Sequence, residues 1–237
     1  MEVSLRLFAG LHDLVGRRDL RLELAEGATV RELKERIGAA YPAVQPLLSS
    51  IVCAIDDEYV AADQPLHDGA EVALIPPVSG GGPEASVGTE AFRITAEPLE
   101  AQALVDLVRR DESGAVALFY GVVRNHSEGR DVERLEYEAH ASMALKKLRE
   151  VAAETQERFA AIDAVGVWHR VGMLEIGETS LLVAVASPHR AEAFAACHWA
   201  VDRVKEVVPV WKKEHWRGGG AWADGHAVEP PPSAAPE

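Results

Sequence analysis

Cysteine is nearly missing from this chain: Cys53 and Cys197 are the only two among 237 residues. They allow one bridge at most, so a disulfide scaffold is excluded. Each sits in an apolar run, IVCAI or AACHWA, and reads as a buried small residue. Basic residues are also short, 24 against 38 acidic, for a net charge of −14. A general nucleic-acid binder needs a basic face, so that class is excluded. No run approaches the roughly 18 apolar residues that cross a membrane. MEVSLRLFAG lacks the basic start and long apolar core of a secretion signal, so a cytoplasmic location with no membrane contact is expected. Motifs are absent too. There is no GxxxxGK[ST], no GxSxG, no HExxH and no CxxC. The nine histidines are scattered, so no metal site is expected.

What is there describes an ordinary folded chain, 48% hydrophobic and 26% charged. The segment GGGPEASVGTE at 80–90 has linker composition and separates two modules. The expected division is a first domain at 1–81, a Gly/Pro/Ser linker at 82–91, a second domain at 92–226 and a disordered tail at 227–237.

In the first module Val3, Leu5 and Leu7 alternate with polar residues, as do Leu20, Leu22 and Leu24. Both patterns predict strands. Thr29-Val30-Arg31-Glu32 is a capping box, with Val30, Leu33 and Ile37 on one helical face and Pro42 closing the segment. IVCAI at 51–55 and EVALI at 71–75 predict two more strands, giving a small mixed sheet gripping one helix. In the second module, strands are predicted at FRIT (92–95), AVALFYGVV (115–123, read as buried), LEYEAH (135–140), VGVWHRV (165–171), SLLVAVA (180–186) and VWKKEHW. Helical spacing covers 98–110, 142–160 and a stretch from near Pro188 to about Lys205.

Four places carry chemistry. Pro76-Pro77-Val78-Ser79-Gly80-Gly81 leaves the last strand stiff and then thin, able to enter a narrow tunnel. Arg124 follows the AVALFYGVV strand where a loop begins. Ser187-Pro188-His189-Arg190 reads as a capped helix start, with Ser187 as the cap, Pro188 in the first turn and an anion seat at the free N–H groups. Lys205, with Lys212, Lys213 and Glu214, offers crowded ammonium groups suited to a base or nucleophile. Gathered in one place, Arg124, His189, Arg190, Lys205 and Lys212 would suit a phosphate-bearing anion.

The first module, above all its ALIPPVSGG ending, resembles MoaD, the small sulfur-carrier subunit of molybdopterin synthase. The second resembles MoaE, its large catalytic subunit, through FYGVVRNHSEG, LEYEAH, VWHRVGMLEIGE, VASPHRAEAF and VPVWKKEHW. The resemblance implies an α+β chain: a ubiquitin-like β-grasp domain followed by an α/β hammerhead-type domain. It implies a sulfurtransferase that converts cyclic pyranopterin monophosphate to the molybdopterin dithiolene, with catalytic lysines at Lys205 and Lys212. The substrate pocket falls on Val122, Val123, Arg124, His189, Arg190, Lys213 and Glu214.

No cofactor is permanently bound in this scheme. Sulfur arrives as a glycine thiocarboxylate at Gly80-Gly81, made by a MoeB-like ATP-dependent adenylating enzyme and a sulfur donor. Here Gly82-Pro83 follows Gly81, so a processing protease is also implied. So is a homodimer, or a heterotetramer after cleavage. The competing reading is a non-catalytic fusion of a ubiquitin-like binding module with an anion-binding scaffold.

Overall fold

The computed structural model describes residues 1–77, 87–127 and 129–223, with the backbone alone at 87–89. Gly80 and Gly81, residues 82–86 of the linker and the 227–237 tail lie outside the described residues. The chain divides into two compact units.

In the first unit, β1 (Glu2–Leu7) leads through a short helix α1 (Gly10–Val15) to β2 (Asp19–Glu23). Helix α2 (Val30–Ala40) begins where the capping box places it. Thr29 Oγ1 accepts from Glu32 N–H, and the Glu32 carboxylate accepts from Thr29 N–H at 2.7 Å. A 3-10 segment, Pro42–Leu47, precedes β3 (Val52–Ile55), β4 (Glu58–Val60) and β5 (Glu71–Ile75). The sheet order is β2-β1-β5-β3-β4, with β1 and β5 parallel at its centre. Leu5, Leu33, Ile37, Val72 and Leu74 are buried between sheet and helix, each contributing roughly 1.5–3 kcal/mol. This is a β-grasp. The α1 and β4 segments, six and three residues long, are too short to leave a periodic signal.

The second unit opens with β6 (Val87–Thr89), β7 (Phe92–Thr95) and α3 (Ala101–Val108). Next come β8 (Ala115–Val122), a small hairpin of β9 (His126–Ser127) and β10 (Arg130–Asp131), and β11 (Arg134–Ala139). Helix α4 (Ala141–Arg158), β12 (Ala164–Arg170), β13 (Gly172–Glu175), β14 (Thr179–Ser187) and α5 (Arg190–Val207) follow. The unit closes with β15 (Val210–Trp216) and β16 (Gly219–Trp222).

Its main sheet runs β6-β7-β12-β14-β8, and a second runs β13-β11-β15-β16. Alternation along β14 sorts the layers. Val183 and Val185 face α4 and α5, while Leu182, Ala184 and Ala186 face α3.

Two sequence expectations need correction. The β8 strand is not buried throughout: it is an edge strand, with Tyr120 49% and Val122 55% exposed. Ser187 does not cap α5. It is the fully buried last residue of β14, its Oγ donates to Ala161 O at 3.0 Å, and His189 is the N-cap. The strand therefore continues through Ser187, and the helix begins two residues beyond Pro188.

Both cysteines are buried and free, and burial pushes each thiol up to about 11. No helix among the described residues is long and apolar enough to cross a membrane. Among them, no cluster of three or more His, Cys, Asp or Glu is placed to hold a metal ion.

Candidate active site

The end of β8 is fixed by its neighbours. Val123 N–H donates to Glu178 O at 2.9 Å, and Gly177 N–H donates to Val123 O at 2.8 Å. The Glu178 carboxylate accepts from Arg170 Nη1 at 2.9 Å and from Glu175 N–H at 2.8 Å. The Arg170 bond holds its pKa below the usual carboxylate range. Val123, 2% exposed, packs with Val132, Leu135 and Leu174. Val122 and Arg124, on either side of it, are exposed, so a buried residue anchors two accessible ones.

The face that receives Val123 also carries Lys212 and Glu214. Leu135 stands opposite Glu214, and Tyr137 opposite Lys212, across the β11–β15 ladder. Directly opposed residues share a face. Lys212 Nζ lies 3.0 Å from Glu214 Oε1. Trp216, two further along, falls on the same face by alternation, with the Arg130 guanidinium 5.1 Å from its ring centroid. Lys213 points the other way. It stands opposite Trp222, with Nζ 5.2 Å from that ring.

Lys205 reaches the same end of β8 by another route. Its Nζ lies 5.6 Å from the Phe119 ring centroid. The Phe119 ring in turn closes on Gly121, where a Cβ would lie 3.3 Å from Phe119 Cε1. Gly121 O accepts from Ser180 Oγ at 3.0 Å. The Tyr137 phenol has its pKa raised chiefly by burial, with the Ser180 hydroxyl pulling it down and the Glu214 carboxylate raising it further. Lys205, Phe119, Gly121 and Ser180 thus form one series at the end of β8, while the Lys212–Glu214 pair reaches that end through Leu135 and Val123.

His189 and Arg190 are not in that series. They start α5 and Lys205 lies in its last turn. Fifteen residues at about 1.5 Å each put Arg190 roughly 22 Å from Lys205. One chain does not gather all five cationic groups. The ammonium crowding read from the sequence is also replaced at Lys212 by a carboxylate contact. Sequence reasoning missed Tyr137, Ser180 and the Arg170–Glu178 pair. The alternation in LEYEAH places Tyr137 on a face, but nothing local names its partners.

Comparison with known proteins adds the following. The MoaE protein family model matches residues 94–207, and the ThiS family model matches residues 5–81. The molybdopterin synthase catalytic subunit of Nostoc sp. is 41% identical over 141 residues, covering 59% of this chain and 86% of that protein. The catalytic subunit of Bacillus subtilis is 41% identical over 133 residues, covering 56% and 84%. Among solved structures, molybdopterin synthase from Staphylococcus aureus aligns with a TM-score of 0.56 at 39% identity. That alignment covers 58% of this chain and 99% of the other.

Proposed function

Because the chain belongs to the molybdopterin synthase catalytic-subunit (MoaE) family and carries a ThiS-family domain ahead of it, a MoaD–MoaE fusion serving molybdenum cofactor biosynthesis, we propose that it is a self-supplied sulfurtransferase. The substrate is cyclic pyranopterin monophosphate. Two sulfurs enter it in succession, each from a glycine thiocarboxylate. Each transfer moves sulfur to the pterin side chain and leaves the glycine carbonyl as an acyl group, which water finally returns to the carboxylate. Lys205 serves as base or acyl acceptor, and Lys212, held by Glu214, orients the pterin. Arg124 supplies charge to the phosphate.

The observation that carries this reading is that Lys205, against Phe119, and the Lys212–Glu214 pair, on the face that packs Val123, both approach one end of β8. The 22 Å that separates Arg190 from Lys205 supports a second step: His189 and Arg190 complete the pocket of a second copy, so the working unit is a dimer. Thiocarboxylate chemistry needs a free terminus, so processing follows Gly81 or Gly82, by a protease acting before the MoeB-like activating enzyme.

The test adds residues 1–81, prepared as a thiocarboxylate, to the full chain with cyclic pyranopterin monophosphate. Dithiolene product is expected, and Lys205→Ala should abolish it. Unchanged turnover in that variant would remove Lys205 from the reaction. Absence of product with the unmutated chain would favour a non-catalytic scaffold.

A further inference from the structure

One turn grips Val123 from both sides. Glu178 O takes its N–H at 2.9 Å, and Gly177 N–H reaches its carbonyl at 2.8 Å. The turn closes on itself where Glu178 N–H donates to Glu175 O at 3.1 Å. Gly177 adopts a φ of +86° there, an angle that a residue with a Cβ rarely takes. A single carboxylate then locks the turn. Glu178 Oε2 accepts from Glu175 N–H, and Glu178 Oε1 accepts from Arg170 Nη1. Arg170 ends β12, and its Nε donates to Ala96 O at 3.2 Å, just past the end of β7. Its side chain is only 12% exposed. The guanidinium thus ties the turn to the ends of two strands of the main sheet.

We infer that Arg170 and Glu178 are positioning residues of the transfer site: through the Glu175–Glu178 turn they hold Val123, and so set where the Arg124 guanidinium meets the phosphate. This rests on the assignment of Arg124 proposed above. Neither residue touches substrate in this scheme. Arg124 is exposed and directly follows Val123, so its backbone position is inherited from that neighbour. The apolar packing of Val123 on Val132, Leu135 and Leu174 sets its depth. Such packing has no direction, whereas hydrogen bonds do, and those to an ionised group are the stronger ones. Small misplacements of a charged group at a reacting centre are costly in rate.

Glu178→Ala removes both side-chain bonds and leaves Val123 and Arg124 in place along the chain. With residues 1–81 supplied as a thiocarboxylate, its kcat/KM for cyclic pyranopterin monophosphate is expected to fall about tenfold. Most of the fall should lie in KM, because the phosphate is held before transfer as well as during it. Mere loss of folded protein would lower kcat and leave KM where it was. Glu178→Gln keeps an acceptor for Glu175 N–H and should recover part of the loss. It takes the place of Glu178→Ala should that variant fail to fold.

Arg124→Ala and the double variant with Glu178→Ala are assayed in the same series. Once the guanidinium is gone its placement no longer matters, so the double variant should lose no more than Arg124→Ala alone. Losses that multiply would overturn the positioning role, since Glu178 would then act elsewhere. A fall in kcat alone would overturn it too. Unmutated kinetics in Glu178→Ala beside a crippled Arg124→Ala would also overturn it, with the site assignment left standing. A fully active Arg124→Ala would instead sink the site assignment itself.

Discussion

The Lys212 ammonium lies 3.0 Å from the Glu214 carboxylate two residues along the same strand, and the glutamate side chain is only 14% exposed. A charge-assisted contact this sheltered contributes about 1.5–3 kcal/mol. Glu214→Gln keeps the shape and removes the charge, so turnover is expected to fall about tenfold. Glu214→Lys sets two ammonium groups side by side and should cost far more, with a lowered unfolding midpoint. Steady-state formation of the dithiolene measures the first effect and thermal unfolding the second. Unmutated turnover in Glu214→Lys would show that this pair does not orient the substrate.

Arg190 and Lys205 sit at opposite ends of α5. If each pocket draws on two copies, Lys205→Ala and Arg190→Ala damage different chains of the same site. Each variant alone should be nearly inactive. Co-assembled at random in equal amounts, half of the dimers are mixed, and each of those has one intact site. About one quarter of the unmutated activity is therefore expected to return. Co-expression with two affinity tags and a product assay decides the matter. No recovery would show that Arg190 does not complete the pocket of a second copy.

The parts legible in the sequence were those with local causes. The Thr29–Glu32 capping box marks the start of α2 because its hydrogen bonds span three residues. FRIT and VWKKEHW coincide with β7 and β15 because strand alternation is visible within four to seven residues. The two-residue strands β9 and β10 carry too few positions for a period to emerge.

The residues of the site were legible as types and not as neighbours. Lys212 and Lys213 are adjacent in sequence yet stand on opposite faces of β15. Tyr137 is 75 positions from Lys212 and directly across from it. The spacing of His189 and Arg190 from Lys205 was readable from helix length alone, once α5 was known to be one straight element. Ser187 misled because its hydroxyl suits a cap; only its burial against Ala161 shows that it ends a strand.

Gly114 has no room for a side chain: a Cβ there would lie 2.3 Å from the carbonyl oxygen of Pro188, a backbone atom that cannot rotate away. Gly114→Ala must push that segment, and with it His189 at the start of α5. A loss of roughly 1–3 kcal/mol is expected, as for overpacking elsewhere. Denaturant unfolding measures it. If His189 and Arg190 bind phosphate, the variant should also raise KM for the pterin more than it lowers kcat. An unfolding midpoint equal to that of the unmutated chain would show that the β8–α5 corner yields freely.

His169 gives the fold a pH dependence with a definite sign. The ring is buried, its Nδ1 donates to Arg170 O at 2.8 Å, and burial pulls its pKa from 6.5 down to about 4. In the unfolded chain it protonates at its ordinary value, so between these two pKa values the unfolded state binds the extra proton. Stability from this group is therefore complete above pH 6.5 and falls as the pH drops toward 4. From pH 7.5 to pH 5 the loss is on the order of 2 kcal/mol. Carboxylates such as Glu178, held low by Arg170, lose their share only nearer pH 4 and below. His169→Phe cannot take up the proton in either state. It should be less stable at pH 7.5, having lost the bond to Arg170 O, yet its stability should change far less between pH 7.5 and pH 5. Urea unfolding of both proteins at the two pH values gives the difference directly. Equal losses in the two would mean that His169 is already protonated, or already exposed, in the folded protein.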